Sequence, residues 1–152
     1  MKDGCRFEHF GVMMDCSRNA VMKVDSLKRF IDCLAKMGYD TLELYTEDTF
    51  TIEDEPYFGY LRGRYTSKEL KEIDGYAKDR GIELIPCVQT LGHFTALVRN
   101  SRFKEIVDCN DILLVDEDET YEFIEKVFKT LAENFTSRRV NIGMDETHTL
   151  GL

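Results

Sequence analysis

The chain has 152 residues and a formal net charge of -9, with 29 Asp and Glu against 20 Lys and Arg. A surface that acidic excludes nucleic acid and anionic membrane as expected partners, because phosphate binding needs clustered cations. The length and a hydrophobic share of 43% fit one globular domain with one core.

The amino-terminal segment Met1 to His9 lacks the apolar run of a signal peptide, and no stretch is long enough to span a bilayer. A cytoplasmic location is the resulting expectation. Cys5, Cys16, Cys33, Cys87 and Cys109 are odd in number and scattered, with no C-x-x-C pair, so neither a disulfide framework nor a zinc site is indicated.

In chain order, Phe10 to Cys16 is an apolar run of strand length. Leu27, Phe30, Ile31 and Leu34 then recur at helical spacing behind Asp25, and Gly38 stops that helix. Thr41 to Tyr45 is a second strand. From Thr46 to Tyr65 the pattern dissolves into a long loop of the kind that carries function. Thr66 and Glu69 form a capping box for a helix with Leu70, Ile73 and Ala77 inward, ended by Gly81. Ile82 to Val88 is a third strand.

Phe94 to Val107 reads as a weakly capped helix, and Ile112 to Val115 as an extra strand or a buried turn. Asp118 opens an amphipathic helix through Tyr121, Ile124, Val127, Phe128 and Leu131. Val140, Ile142 and Met144 alternate as in a final strand, which ends in the adjacent carboxylates Asp145 and Glu146. Strand and helix alternate throughout, so the fold class is α/β, a parallel sheet with helices outside.

Polar residues gather where strands finish: Asp15 and Arg18, Glu47 and Asp48, Gln89 and His93, Asp145 and Glu146. In parallel α/β folds these carboxyl ends share one side of the sheet, where sites form. No glycine-rich phosphate fingerprint follows the first strand, which disfavours a doubly wound nucleotide-binding sheet. A (β/α) TIM-type barrel fits better, but about four units are present where closure needs eight. The whole of 1–152 therefore reads as the N-terminal half of a truncated barrel domain.

Asp145 and Glu146 are the candidates for acid–base chemistry, against the plainer reading that an Asp-Glu pair caps a following helix. Both reach one pocket only if the backbone bends, and Gly143 permits a bend. Arg18 suits bidentate contact with hydroxyls or carboxylates. His93 reads as a proton-relay member or a structural histidine, and Glu47 and Asp48 as ligand contacts or solvated loop acids. No metal-binding spacing, no G-x-S-x-G elbow and no cysteine in a nucleophile setting is present, so carboxylate chemistry on a neutral polar substrate remains.

Ile142-Gly143-Met144-Asp145-Glu146 resembles the strand-end Gly-Gly-Asp-Glu signature of glycoside hydrolase family 20, the β-N-acetylhexosaminidases. Met14-Asp15-Cys16-Ser17-Arg18 resembles that family's first-strand segment with its sugar-binding arginine. Ile85 to His93 resembles the third-strand segment ending in Pro-Gly-His. Gly-Met-Asp-Glu is the wording of its bacterial N-acetyl-glucosaminidase branch. The resemblance implies retaining, substrate-assisted hydrolysis of a terminal β-linked N-acetyl-hexosamine, an exception to the two-carboxylate scheme. It implies Glu146 as general acid and base and Asp145 as the group that orients the substrate's acetamide. Arg18 would hold sugar hydroxyls, and His93 would belong to the network behind the acid. No metal or organic cofactor is implied.

Three departures qualify that picture. Cys87 and Gln89 stand where the family has Glu and Asp, the chain has no tryptophan, and the second half of a barrel is missing with the tyrosine that grips the acetamide. The chain alone is therefore expected to be weak or inactive, with a non-hydrolytic sugar-binding or degenerate fragment as the alternative. Unpaired sheet edges are expected to favour self-association.

Overall fold

The structure is a computed structural model that describes residues 7–151. β1 (Gly11–Asp15), β2 (Thr41–Thr46) and β3 (Glu83–Val88) form a three-stranded parallel sheet in the order β1-β2-β3. α1 (Val24–Met37) and α2 (Ser67–Lys78) make the crossovers, and α3 (Asp118–Asn134) follows β3. Among the described residues, no helix is long and apolar enough to cross a membrane. Cys16, Cys33, Cys87 and Cys109 are unpaired; Cys5 lies outside the described residues.

Alternation along the strands divides the sheet into two faces. Leu42, Leu44, Leu84 and Val88 join one core with Leu27 and Ile31 of α1 and Leu70 and Ile73 of α2. The opposite face carries Asp15, Tyr45 and Cys87 in one row and Met13, Glu43 and Ile85 in the next. In a parallel sheet, residues in register share a face, so this second face leads to the carboxyl ends where the polar residues gather.

The helix ends follow local rules with one shift. Gly38 at φ 88° caps α1, and Thr66 and Glu69 form the capping box of α2. α2 stops at Lys78 rather than at Gly81; Gly81, at φ 70°, turns the chain into β3. α3 buries Phe123, Val127 and Leu131, while Tyr121 is 52% exposed. The inward face is therefore centred on Phe123, whose ring lies 5.6–6.3 Å from Phe58, Phe94 and Phe103.

Three expected elements come out differently. The segment 94–107 forms two short 3₁₀ helices, Leu97–Arg99 and Ser101–Ile106, because Asn100 is extended between them and its side chain caps the second. Ile112 and Leu113 are buried in a turn, with a single antiparallel bridge from Val107 to Leu113 instead of a strand. The last segment lies parallel to β3, with Asn141 N donating to Pro86 O at 2.9 Å and Thr90 N to Gly143 O at 3.1 Å. Among the described residues it makes one bridge, Cys87 to Asn141. Val140, Ile142 and Met144 are exposed, since among the described residues nothing covers this edge.

A buried acid, Glu55, helps to order the long loop. Glu55 is 1% exposed and accepts from Arg102 Nη2 at 2.7 Å and Lys126 Nζ at 2.6 Å. It ties the β2–α2 connection to the second 3₁₀ helix and to α3, so the rim of the sheet is braced from outside.

Candidate active site

Backbone geometry brings the acids together. Gly143 (φ 46°) and Glu146 (φ 53°) both adopt the left-handed region, as does His93 (φ 62°). Positive φ is unfavourable for Glu and His, and such strain concentrates at functional positions. The two turns bend the edge segment over the end of β3, and the consecutive acids face one imidazole. His93 Nε2 lies 3.4 Å from Asp145 Oδ2 and 3.5 Å from Glu146 Oε2.

A second line of contacts crosses the strands. Gln89 Nε2 donates to Asp145 Oδ1 at 3.0 Å and to Tyr45 Oη at 3.1 Å. Tyr45 in turn donates to Glu47 Oε1 at 3.1 Å. The Arg18 guanidinium lies 5.0 Å from the centre of the Tyr45 ring and donates to Asp15 Oδ2 at 2.8 Å. Asp15 Oδ1 accepts from the backbone N–H groups of Ser17 and Arg18, and Ser17 Oγ accepts from Glu47 N. The ends of β1, β2, β3 and the edge segment thus form one polar rim.

The charges respond to these contacts. The Gln89 amide N–H holds the Asp145 carboxyl below the usual range against a smaller effect of burial, with His93 assisting. Burial pushes Glu47 up, opposed by the Tyr45 hydroxyl, Arg18 and His93. Burial also pushes Tyr45 up to about 12 and Cys87 up to about 12, so Cys87 holds a protonated, poorly nucleophilic thiol at neutral pH. Burial raises Asp15, but bonds from Arg18 and the Ser17 and Arg18 amides outweigh it, and its carboxyl is held low.

Of the six residues singled out from the sequence, Asp145, Glu146 and His93 meet directly, and Arg18 and Glu47 join them through Tyr45 and Gln89. Asp48 stands apart: it is buried, and Oδ1 lies 3.3 Å from Arg62. Sequence reasoning left Tyr45 out and gave Gln89 no role. The signal was period-two spacing, since Tyr45 and Glu47, like Cys87 and Gln89, share the inner face at strand ends.

The cluster is open to solvent. The Asp145 and Glu146 side chains are 61% and 64% exposed. The hollow nearest Arg18, about 260 Å³, is lined by Ser17, Arg18, Asn19, Leu61 and Arg62. A larger one, about 440 Å³, lies at the amino end of β3 beside Asp74, Lys78 and Arg138, away from the acids. His93, Asp145 and Glu146 present donor atoms within 4.8 Å of one another.

The catalytic-domain model of glycosyl hydrolase family 20 matches residues 50–150. The β-hexosaminidase of Vibrio furnissii is 28% identical over 183 aligned positions, covering 96% of this chain and 30% of that protein. The β-hexosaminidase of Akkermansia muciniphila is also 28% identical, over 97% of this chain and 36% of its own length. The β-N-acetylhexosaminidase structure from Streptomyces coelicolor superposes with a TM-score of 0.84 at 28% identity, covering 94% of this chain and 34% of that one. A mutant Streptomyces plicatus β-hexosaminidase, solved with its product GlcNAc, gives 0.83 at 29% identity and the same coverage of 94% and 34%. The chain spans about a third of the length of these relatives.

Proposed function

The chain belongs to glycosyl hydrolase family 20, and we propose that it is the N-terminal half of a (β/α) catalytic barrel that removes terminal β-linked N-acetyl-hexosamine, GlcNAc or GalNAc, from saccharides. The observation that carries this reading is the meeting of Asp145 and Glu146 on His93 at the carboxyl rim of a parallel sheet. The likeness to β-hexosaminidases supplies the substrate class.

Glu146 donates its proton to the glycosidic oxygen as the bond to C1 breaks. The acetamido carbonyl oxygen of the same sugar attacks C1 from the opposite face, giving an oxazolinium-type ring. Asp145, as an anion, accepts the acetamide N–H and steadies the positive charge that develops there. The Glu146 carboxylate then takes a proton from water, whose oxygen attacks C1 and reopens the ring. Two inversions leave the β configuration. Arg18 and Glu47 take hydroxyls of the terminal sugar, His93 holds the two acids in place, and Asp48 braces the loop behind them through Arg62. We assign the reaction no cofactor, and its partner is the carbohydrate.

The exposure of both acids favours a second reading for this chain by itself, in which it takes sugar weakly without turning it over. A cleft open on one side excludes water poorly and weakens every charge interaction in it. The exposed edge at Val140, Ile142 and Met144 favours self-association, which sedimentation velocity measures. We assign the chain to the cytoplasm.

The test is hydrolysis of 4-nitrophenyl β-N-acetyl-glucosaminide by the purified chain. We expect weak or no release of nitrophenol, with any product formed initially as the β anomer. Robust turnover by the monomer, abolished by Glu146→Gln, overturns the expected inactivity and supports the site. An α-anomeric product overturns the mechanism.

A further inference from the structure

Gln89 is among the most buried polar groups in the chain, 2% exposed, at the point where β3 ends. A primary amide nitrogen has two hydrogens, and here each has one acceptor: Asp145 Oδ1 at 3.0 Å and Tyr45 Oη at 3.1 Å. Tyr45 spends its own proton on Glu47 at 3.1 Å, so its oxygen is free to accept. The chain of donors therefore has one direction, from Gln89 outward to two acids.

From this geometry we propose that Gln89 is the positioning residue for Asp145: its amide, anchored by Tyr45, fixes Oδ1 and leaves Oδ2 turned toward His93. The proposal rests on the sugar-binding reading for its consequence and on the hydrogen bonds alone for its substance. A carboxyl group in place of the amide would share a proton with Asp145, because two carboxylates at hydrogen-bond distance do not both ionise readily. An amide brings two N–H donors and no charge. Asp145 can then remain an anion, the form needed to accept an acetamide N–H, without dependence on a neighbour's protonation.

The other groups that face Asp145 do not replace this contact. His93 approaches Oδ2, Glu146 adds negative charge from the same segment, and Cys87 carries a protonated thiol on β3. Glu47 reaches Asp145 only through Tyr45 and Gln89. Arg18 is engaged by Asp15. Gly143 is required by the same packing, since a Cβ there would lie 2.8 Å from Cδ of Gln89.

The experiment follows the side-chain carboxyl carbon of Asp145 by ¹³C NMR from neutral to acid pH, assigned with Asp145→Asn, in the chain without sugar. In the parent protein Asp145 shows one transition below the usual Asp range. In Gln89→Met, which keeps the length and removes the donors, the transition moves up toward that range. In Gln89→Glu the carbon shows two coupled steps, the upper about one pH unit or more above the parent transition. Tyr45→Phe moves the transition part of the way taken by Gln89→Met. Backbone amide spectra establish folding; if Gln89→Glu fails to fold, Gln89→Met and Tyr45→Phe decide. A transition unchanged in the folded Gln89 variants overturns the proposal. Because no sugar is present, that result is distinct from failure of the sugar reading, which is judged by ligand binding to the parent protein.

Discussion

A Cβ placed on Gly143 would stand 2.8 Å from Cδ of Gln89, closer than packed carbon atoms approach, and would also meet the Val88 carbonyl oxygen. Gly143 is at φ 46° as well, so a side chain there is opposed both by space and by backbone conformation. These two residues lock the acid-bearing segment onto the end of β3.

Gly143→Ala is therefore expected to destabilise the chain by about 1–3 kcal/mol and to shift the amide signals of Gln89, Asp145 and Glu146. Urea denaturation followed by circular dichroism measures the first effect and a ¹⁵N correlation spectrum the second. Gly75 meets nothing within 4 Å of an added Cβ and lies inside α2. Gly75→Ala is the matched control and is expected to stabilise by about 0.5–1 kcal/mol.

Glu55 offers a second test, remote from the acids. Its buried carboxylate joins Arg102 and Lys126. Both cations are partly exposed, at 50% and 38%, so they recover water when the acid is removed. Glu55→Ala is expected to lower stability by about 2–4 kcal/mol, chiefly through the lost bonds and the cavity. Hydrogen exchange is expected to rise across the 47–65 loop before it rises in β2 or β3.

The pH dependence follows from Asp15. Its folded carboxyl is held below the ordinary Asp value of 3.8 despite partial burial, by Arg18 and two backbone amides. A depressed acid contributes stability that is present above its unfolded pKa and lost as pH falls through the folded value. Unfolding free energy is therefore expected to drop as pH falls below about 4, and Asp15→Asn is expected to make that acid limb shallower. Chemical denaturation between neutral pH and pH 3 measures the slope; an unchanged slope in Asp15→Asn contradicts the assignment.

The sequence revealed the frame because burial imposes period on it. Leu27, Ile31 and Leu34 could belong only to a helix face, and Thr66 with Glu69 marked where α2 begins. The segment 94–107 was not legible as two 3₁₀ turns, since its break depends on the extended backbone and side-chain cap of Asn100. The edge segment kept its alternation, but a strand is a property of pairs, and here one side has no partner among the described residues. In the candidate site, strand-end position identified Arg18, His93, Asp145 and Glu146. Tyr45 was passed over, and Gln89 was noted at its strand end without a role, because a neutral side chain shows its part only through its hydrogen bonds. Asp48 looked equivalent to Glu47, yet beyond the end of β2 the two part: Glu47 accepts from Tyr45, while the Asp48 carboxylate is buried and paired with Arg62.

The division of labour between the two acids is tested most directly by adding N-acetyl-glucosamine thiazoline, a mimic of the cyclised intermediate, to the ¹⁵N-labelled chain. Amide shifts are expected at Arg18, His93, Asp145 and Glu146, with affinity falling at least about tenfold in Asp145→Asn and changing little in Glu146→Gln. Binding that is equal in Asp145→Asn and the parent protein, or shifts confined to residues away from this rim, would contradict the account.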